Sequence, residues 1–378
     1  MSFQQNLALL SLLLKGNHDA AAGLLRDGGV RPDDFAHFLK QHRLQLFVFS
    51  TLEGSPVREL LPREWLDELK KFSLHQWSRQ ETLVRELAKL STLLTAAGYE
   101  FILLKGPCLA ARFFGGIDRR EYWDVDVLIR REDLIAVERL LFNDGYVRKS
   151  GILLSETITS RFTHALDFAK PNIAVDLHWL LSANAGHHLN YEAIWSERQT
   201  FVLRNQRYCV LSDEYQLVLS LVSIFKDLER GAAGLKPFVD LYFILSAVSR
   251  DLDWEGFLKR RRREKILRIS VNILALFLEL FDCHDRFPEV SDAVARQRQL
   301  VEAISLEHRQ MLIEAQPGAL RNKIWAAGIY DCSRSHVFFW WLLSLPFRLA
   351  VHNLGKYGDH TAKPAKRAKG FRCSLLLR

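Results

Sequence analysis

The chain has 378 residues, 48% apolar and 25% charged, which is enough for two or three packed units and too apolar for an intrinsically disordered protein. Its five cysteines form no CxxC pair and no regular spacing, which excludes a disulfide framework or cysteine-zinc site and fits a reducing compartment. Of the net charge of +8, +6 lies after residue 355, so the remaining chain, at about +2, argues against a long nucleic acid as partner.

Residues 1–97 read as helical. Leu9, Leu10, Leu13 and Leu14 have helical spacing, as do Phe35, Phe38 and Leu39, and then Leu66, Leu69 and Phe72. The start of the chain lacks a basic segment, and its apolar run at residues 7–14 is too short for a span, so no signal peptide is expected. Asp33 is a candidate N-cap for the helix carrying Phe35. Residues 76–97 read as one long amphipathic helix closed by Gly98.

A strand is expected over residues 99–104, with Lys105-Gly106 as the turn out of it and Pro107 in the first turn of a helix reaching Phe114. Gly115-Gly116 opens a loop bearing Arg119 and Arg120. The run Trp123-Asp124-Val125-Asp126-Val127-Leu128-Ile129 then reads as a buried strand. Side chains alternate across a strand, so Asp124 and Asp126 share a face while Val125 and Val127 enter the core. Two carboxylates held that close repel unless a cation lies between them, and Mg²⁺ or Mn²⁺ suits an all-oxygen set.

Residues 131–143 are expected to form an amphipathic helix, closed by Asp144-Gly145. Two strand-like runs then flank the Lys170-Pro171-Asn172 turn, one carrying Asp167 and the other Asp176. They read as a hairpin. Should it pair with the first acidic strand, Asp176 completes a three-carboxylate cluster suited to two-metal phosphoryl chemistry. His178 and Trp179 follow; a lone histidine beside a tryptophan reads first as structural. A last strand over 207–211 leads to Ser212 or Asp213 as the cap of the next helix.

The order Leu-Leu-Lys105-Gly106-Pro, helix, arginine loop, Asp124-x-Asp126, helix, Asp176-Leu-His-Trp resembles the uncharacterised bacterial nucleotidyltransferase family of the DNA-polymerase-beta-like nucleotidyltransferase superfamily. The likeness is tightest over 103–179 and looser over about 35–245. It implies an α+β fold, with a mixed β-sheet core flanked by N-terminal and C-terminal helical regions. It also implies an NTP, ATP first among the candidates, with an NMP passing to an unidentified hydroxyl acceptor on a small molecule, sugar or protein. On this resemblance Asp124, Asp126 and Asp176 are the catalytic and metal-binding residues, Lys105 and Gly106 contact the phosphates, and Arg119 or Arg120 contacts a phosphate or orients Asp124. Pro107 departs from the usual glycine pair of that turn and removes one backbone donor. The alternative is a catalytically weak nucleotide-binding or scaffold protein of the same fold, at the membrane surface in an envelope or polysaccharide system.

The expected units are residues 1–97, 98–211, 212–335 and 336–378. Residues 212–322 read as helical throughout. Lys226, Arg230 and Lys236 stand where the family tends to place histidines, and Asp240 matches an aspartate of the following helix. The KRRRREK run at 259–265 reads as a solvated helix face in preference to a nucleic-acid patch. The eleven-residue apolar run at 337–347 is too short to span a bilayer. Beside a basic tail it suits either a core helix broken at Pro346 or a segment lying on an anionic membrane surface. The tail itself is expected to be disordered. The expected location is cytoplasmic, with peripheral contact to the inner membrane through 337–378.

Overall fold

The computed structural model describes residues 3–149, 163–182, 186–314 and 320–332. The aromatic segment and basic tail expected over 336–378 lie outside these residues. The helices in chain order are α1 (Phe3–Leu14), α2 (His18–Arg26), α3 (Pro32–His42), α4 (Gln45–Thr51), α5 (Arg63–Ala96), α6 (Pro107–Phe113), α7 (Leu134–Asn143) and α8 (Tyr191–Ser196). They continue with α9 (Asp213–Arg230), α10 (Lys236–Val248), α11 (Trp254–Arg263), α12 (Leu267–Phe281), α13 (Pro288–Ala295), α14 (Leu306–Glu314) and α15 (Leu320–Ile329). The strands are β1 (Phe101–Leu103), β2 (Val125–Ile129), β3 (Val147–Arg148), β4 (Ala165–Lys170), β5 (Ile173–His178), β6 (Gln199–Leu203) and β7 (Gln206–Val210).

The seven strands form one mixed sheet in the order β3-β4-β5-β2-β1-β7-β6. β2 runs parallel to β5 and antiparallel to β1, and β1 runs parallel to β7. β4 and β5 form the expected hairpin, pairing from Ala165↔His178 to Lys170↔Ile173. Its two-residue turn works because Pro171 favours a fixed negative φ and Asn172 accepts the left-handed φ of 73°.

Alternation along the strands sorts the sheet into two faces. Val125, Val127, Ile129, Val175 and Leu177 pack with Leu83, Leu87, Leu90 and Leu94 of α5 and with Val137 and Leu141 of α7. Ile102, Leu104 and Leu128 join a second core, which runs without a break through the N-terminal helices and the C-terminal helices. Ser11 of α1 donates to the carbonyl of Phe281 at 2.7 Å, tying the first helix to α12. The sheet is therefore held between α5 and α7 on one side and a helical assembly drawn from both ends of the chain on the other.

Several boundaries differ from expectation for physical reasons. α5 begins at Arg63 and not near residue 76. Its buried stripe passes through Leu69, Ser73, Gln76, Gln80 and Leu83, so the helical period is carried partly by polar residues. Gln76 Nε2 and Gln80 Nε2 donate to the carbonyls of Tyr122 and Arg120, at 3.1 and 2.7 Å. Arg31, and not Asp33, occupies the N-cap position of α3, without a side-chain capping bond, because Pro32 takes the first helical position. Ser212 is the cap of α9, accepting from the Tyr215 N–H. The KRRRREK run is not uniformly solvated: Arg261 is fully buried, 2.7 Å from Glu264 and 3.3 Å from Glu214, with Phe257 4.8 Å from its guanidinium. Among the described residues no helix is long and apolar enough to cross a membrane.

Candidate active site

The parallel pairing of β2 with β5 brings the acids together. Its register sets Asp126 against Asp176 and Leu128 against His178. Since Val125 and Val127 on one strand and Val175 and Leu177 on the other enter the α5 side, Asp126, Asp176 and His178 project from the opposite face, toward the C-terminal helices. β4 extends the row: Asp167 lies across from Asp176, and its neighbours Leu166 and Phe168 enter the core. Three carboxylates thus stand on adjacent strands at one level of the sheet, roughly 4.8 Å from strand to strand. The side chain of Asp126 is only 13% exposed, whereas Asp167 is open to solvent.

Asp126, Asp176 and His178 each offer one ligand atom, and these atoms all lie within 4.8 Å of one another. His178 Nε2 is 3.2 Å from Asp126 Oδ1. Asp124 stands at the bend just before β2, half-buried and outside that group of three. Its backbone is fixed by Gly106. There φ is +64°, and an added Cβ would come within 3.1 Å of the Asp124 carbonyl oxygen. Gly106 therefore meets two demands at once, a left-handed turn and a close backbone approach. The Leu104 N–H donates to the Asp126 carbonyl at 3.0 Å, which locks the same crossing.

Cations face this row from the helical side. Lys105 Nζ donates to Ser223 Oγ of α9 at 3.1 Å. Lys226, one turn further along α9, is half-buried. Lys236, at the start of α10, lies 3.5 Å from Asp240. Arg120 holds the same Asp240 through two hydrogen bonds of 2.7 and 2.8 Å, a buried bidentate pair. Arg120 thus leaves the loop for the interior, whereas Arg119 is exposed.

The electrostatics follow from this crowding. Burial, with the charges of Asp126, Asp167 and Asp124 behind it, pushes Asp176 up to about 8. Burial and then Asp126 raise Asp124 above the usual carboxylate range. Burial opposes the ionisation of Asp126 too, but the His178 hydrogen bond and the Lys105 charge outweigh it and hold Asp126 well below that range. Lys226 is lowered to about 8 by burial and by Lys105, and Lys236 to about 8 by burial and by Arg120. Asp124 and Asp176 among the acids, and Lys226 and Lys236 among the bases, are thus disfavoured in their charged forms by burial, and they act on one another's charge within one site. A dication at the acids and an anion at the lysines would relieve both strains. The donor set, carboxylate oxygens and one imidazole nitrogen, fits a small divalent ion.

The structure joins the turn residues Lys105 and Gly106 to Asp124 and Asp126, and places Asp176 beside Asp126. Sequence reasoning gave His178 no ligand role and gave Asp167 no site role. The signal for His178 was its two-residue spacing from Asp176, which on a strand sets both on one face. Asp167 could be found only from the hairpin register.

This sheet, with an Asp-x-Asp strand and a third aspartate on its parallel neighbour, defines a nucleotidyltransferase-like α+β fold with a candidate metal centre. The family model described as "Uncharacterised nucleotidyltransferase" matches residues 28–282, and the chain belongs to that family. No curated protein matches it.

Proposed function

We propose that the protein transfers a nucleoside monophosphate from an NTP, ATP being the first to test, to a hydroxyl acceptor and releases pyrophosphate. The observation that supports this reading best is the in-register pair Asp126↔Asp176, facing lysines from another part of the chain. Asp124, Asp126 and Asp176 would hold Mg²⁺ or Mn²⁺, which supplies neutralisation of phosphate charge and alignment for in-line displacement. Asp176 in its ionised form accepts the proton of the acceptor hydroxyl, a role set by the reach of its carboxylate to that hydroxyl. As that proton leaves, the acceptor oxygen bonds to the α-phosphorus and the bond from the α-phosphorus to the bridging oxygen breaks. Lys105 and Lys226 face the departing pyrophosphate and offset its charge. Arg120 contributes from behind: it is committed to Asp240 and braces the loop that leads to Asp124.

A second reading, nucleotide binding with little turnover, draws on Pro107, which removes a backbone donor from the turn after Lys105. One experiment separates the two. A panel of α-labelled NTPs with cell extract and Mg²⁺ or Mn²⁺ should yield a labelled acceptor and pyrophosphate. The double variant Asp124→Ala/Asp126→Ala should lower transfer by at least about a thousandfold while melting near the wild-type temperature. Equal turnover by the folded double variant would refute the enzyme reading. Nucleotide binding with no labelled acceptor would favour the second.

A further inference from the structure

The donor set beside β2 is not the one that oxygen-seeking Mg²⁺ prefers. His178 ends β5 on the same face as Asp176, and its imidazole stands opposite Leu128, two residues along from Asp126. Its Nε2 lies 3.2 Å from Asp126 Oδ1. Neighbouring ligands on one small cation, each bonded at ~2.1–2.2 Å and at right angles, lie roughly 3 Å apart. The 3.2 Å between these two atoms, a hydrogen-bond distance, is also the spacing of two ligands sharing an ion. The Asp176 carboxylate supplies the third atom, with all three inside 4.8 Å. The other ring nitrogen, Nδ1, is buried and has no hydrogen-bond partner, so Nε2 is the polar outlet of the ring, and it is turned to the carboxylates.

We infer that His178 is a direct metal ligand, and that the centre formed by Asp126, Asp176 and His178 selects an imidazole-accepting dication of the Mn²⁺ class over Mg²⁺. This rests on the metal-dependent reading of the site and narrows it. Mg²⁺ gives up its water for carboxylates and phosphates but gains little from imidazole, whereas the first-row transition dications accept nitrogen more readily, Mn²⁺ least among them and the later ones more. A structural histidine that merely donates to Asp126 would leave the choice of metal to the carboxylates alone.

The test uses the full chain, freed of metal, and Mn²⁺ and Mg²⁺ as the probes. Calorimetric titration should show Mn²⁺ binding at least about tenfold tighter than Mg²⁺. The electron spin echo of bound Mn²⁺ should carry the nitrogen-14 modulation of a coordinated imidazole. His178→Gln should remove that modulation and bring the two affinities within about threefold, and a thermal melt checks that the variant is folded. Mn²⁺ bound without nitrogen modulation, modulation that survives in His178→Gln, or equal wild-type affinities would each overturn the ligand role and leave the carboxylate centre standing. No binding of either ion, together with label transfer that ignores added metal, would overturn the metal-dependent reading as well.

Discussion

Asp176 carries the consequence of placing three acids at one level of a sheet. Its folded-state value of about 8 lies above the ordinary value of 3.8. Between those two pH values the folded chain holds a proton that the unfolded chain has lost, so the contribution of Asp176 to stability falls as pH rises through that window. Burial is the main cause, followed by the charges of Asp126, Asp167 and Asp124, with Lys149 pulling the other way. A dication bound at the carboxylates would replace the proton. The rise in melting temperature on adding Mn²⁺ should therefore be larger at pH 8 than at pH 6. Calorimetry at pH 7 in buffers of differing ionisation enthalpy should show proton release on binding. In Asp176→Asn that release should be largely gone. Proton-neutral binding in the wild type would mean that Asp176 is already ionised in the free protein.

At this scale the strand acids were legible because alternation is a rule of backbone geometry: Asp124-x-Asp126 within a valine-rich run can be placed without a fold. The fate of Arg120 was not, because its partner Asp240 lies 120 residues away and no local pattern joins them. His178 lay between these cases. Its spacing from Asp176 was visible, but which strand stood beside it was not.

Among the elements, α5, β2 and α10 are fastened through the stretch 120–122. Gln80 and Gln76 of α5 hold the carbonyls of Arg120 and Tyr122. Glu121 Oε1 accepts from the Leu46 N–H of α4. The Arg120 guanidinium reaches Asp240 of α10. Without Arg120 the buried Asp240 carboxylate keeps only the longer 3.5 Å contact to Lys236, and a buried charge stripped of its hydrogen-bonded partner costs more than the intact pair contributes. Arg120→Met should destabilise the protein by roughly 3–5 kcal/mol, measured by denaturant unfolding. The double variant Arg120→Met/Asp240→Leu should recover much of that loss. A double variant no more stable than the single one would show that the pair matters through packing and not through charge. The polar stripe of α5 also explains why its first half escaped apolar periodicity: glutamines that serve a loop look solvated in a sequence.

On the scale of the molecule, the sheet was legible in outline, since an acidic strand and a hairpin could be placed, while their parallel pairing came only with the fold. The joining of N-terminal and C-terminal helices in one core was not, because helical stripes record that a face is buried and not against what. That core decides where the site forms. The acids come from β2 and β5, Lys105 from the end of β1, and Lys226, Lys236 and Asp240 from helices that share packing with α1 to α4. A nucleotide would have to touch both halves, its metal-bound phosphates on the sheet and its anionic tail on α9.

The most direct measurement is calorimetric titration of the full chain with a non-hydrolysable ATP analogue, with and without Mn²⁺. Binding should require the metal, vanish in Asp126→Asn, and weaken by about tenfold in Lys226→Ala, the loss of one charge-assisted phosphate contact. Binding of equal strength without metal and in both variants would place the nucleotide elsewhere and remove the acids of β2 and β5 from its chemistry.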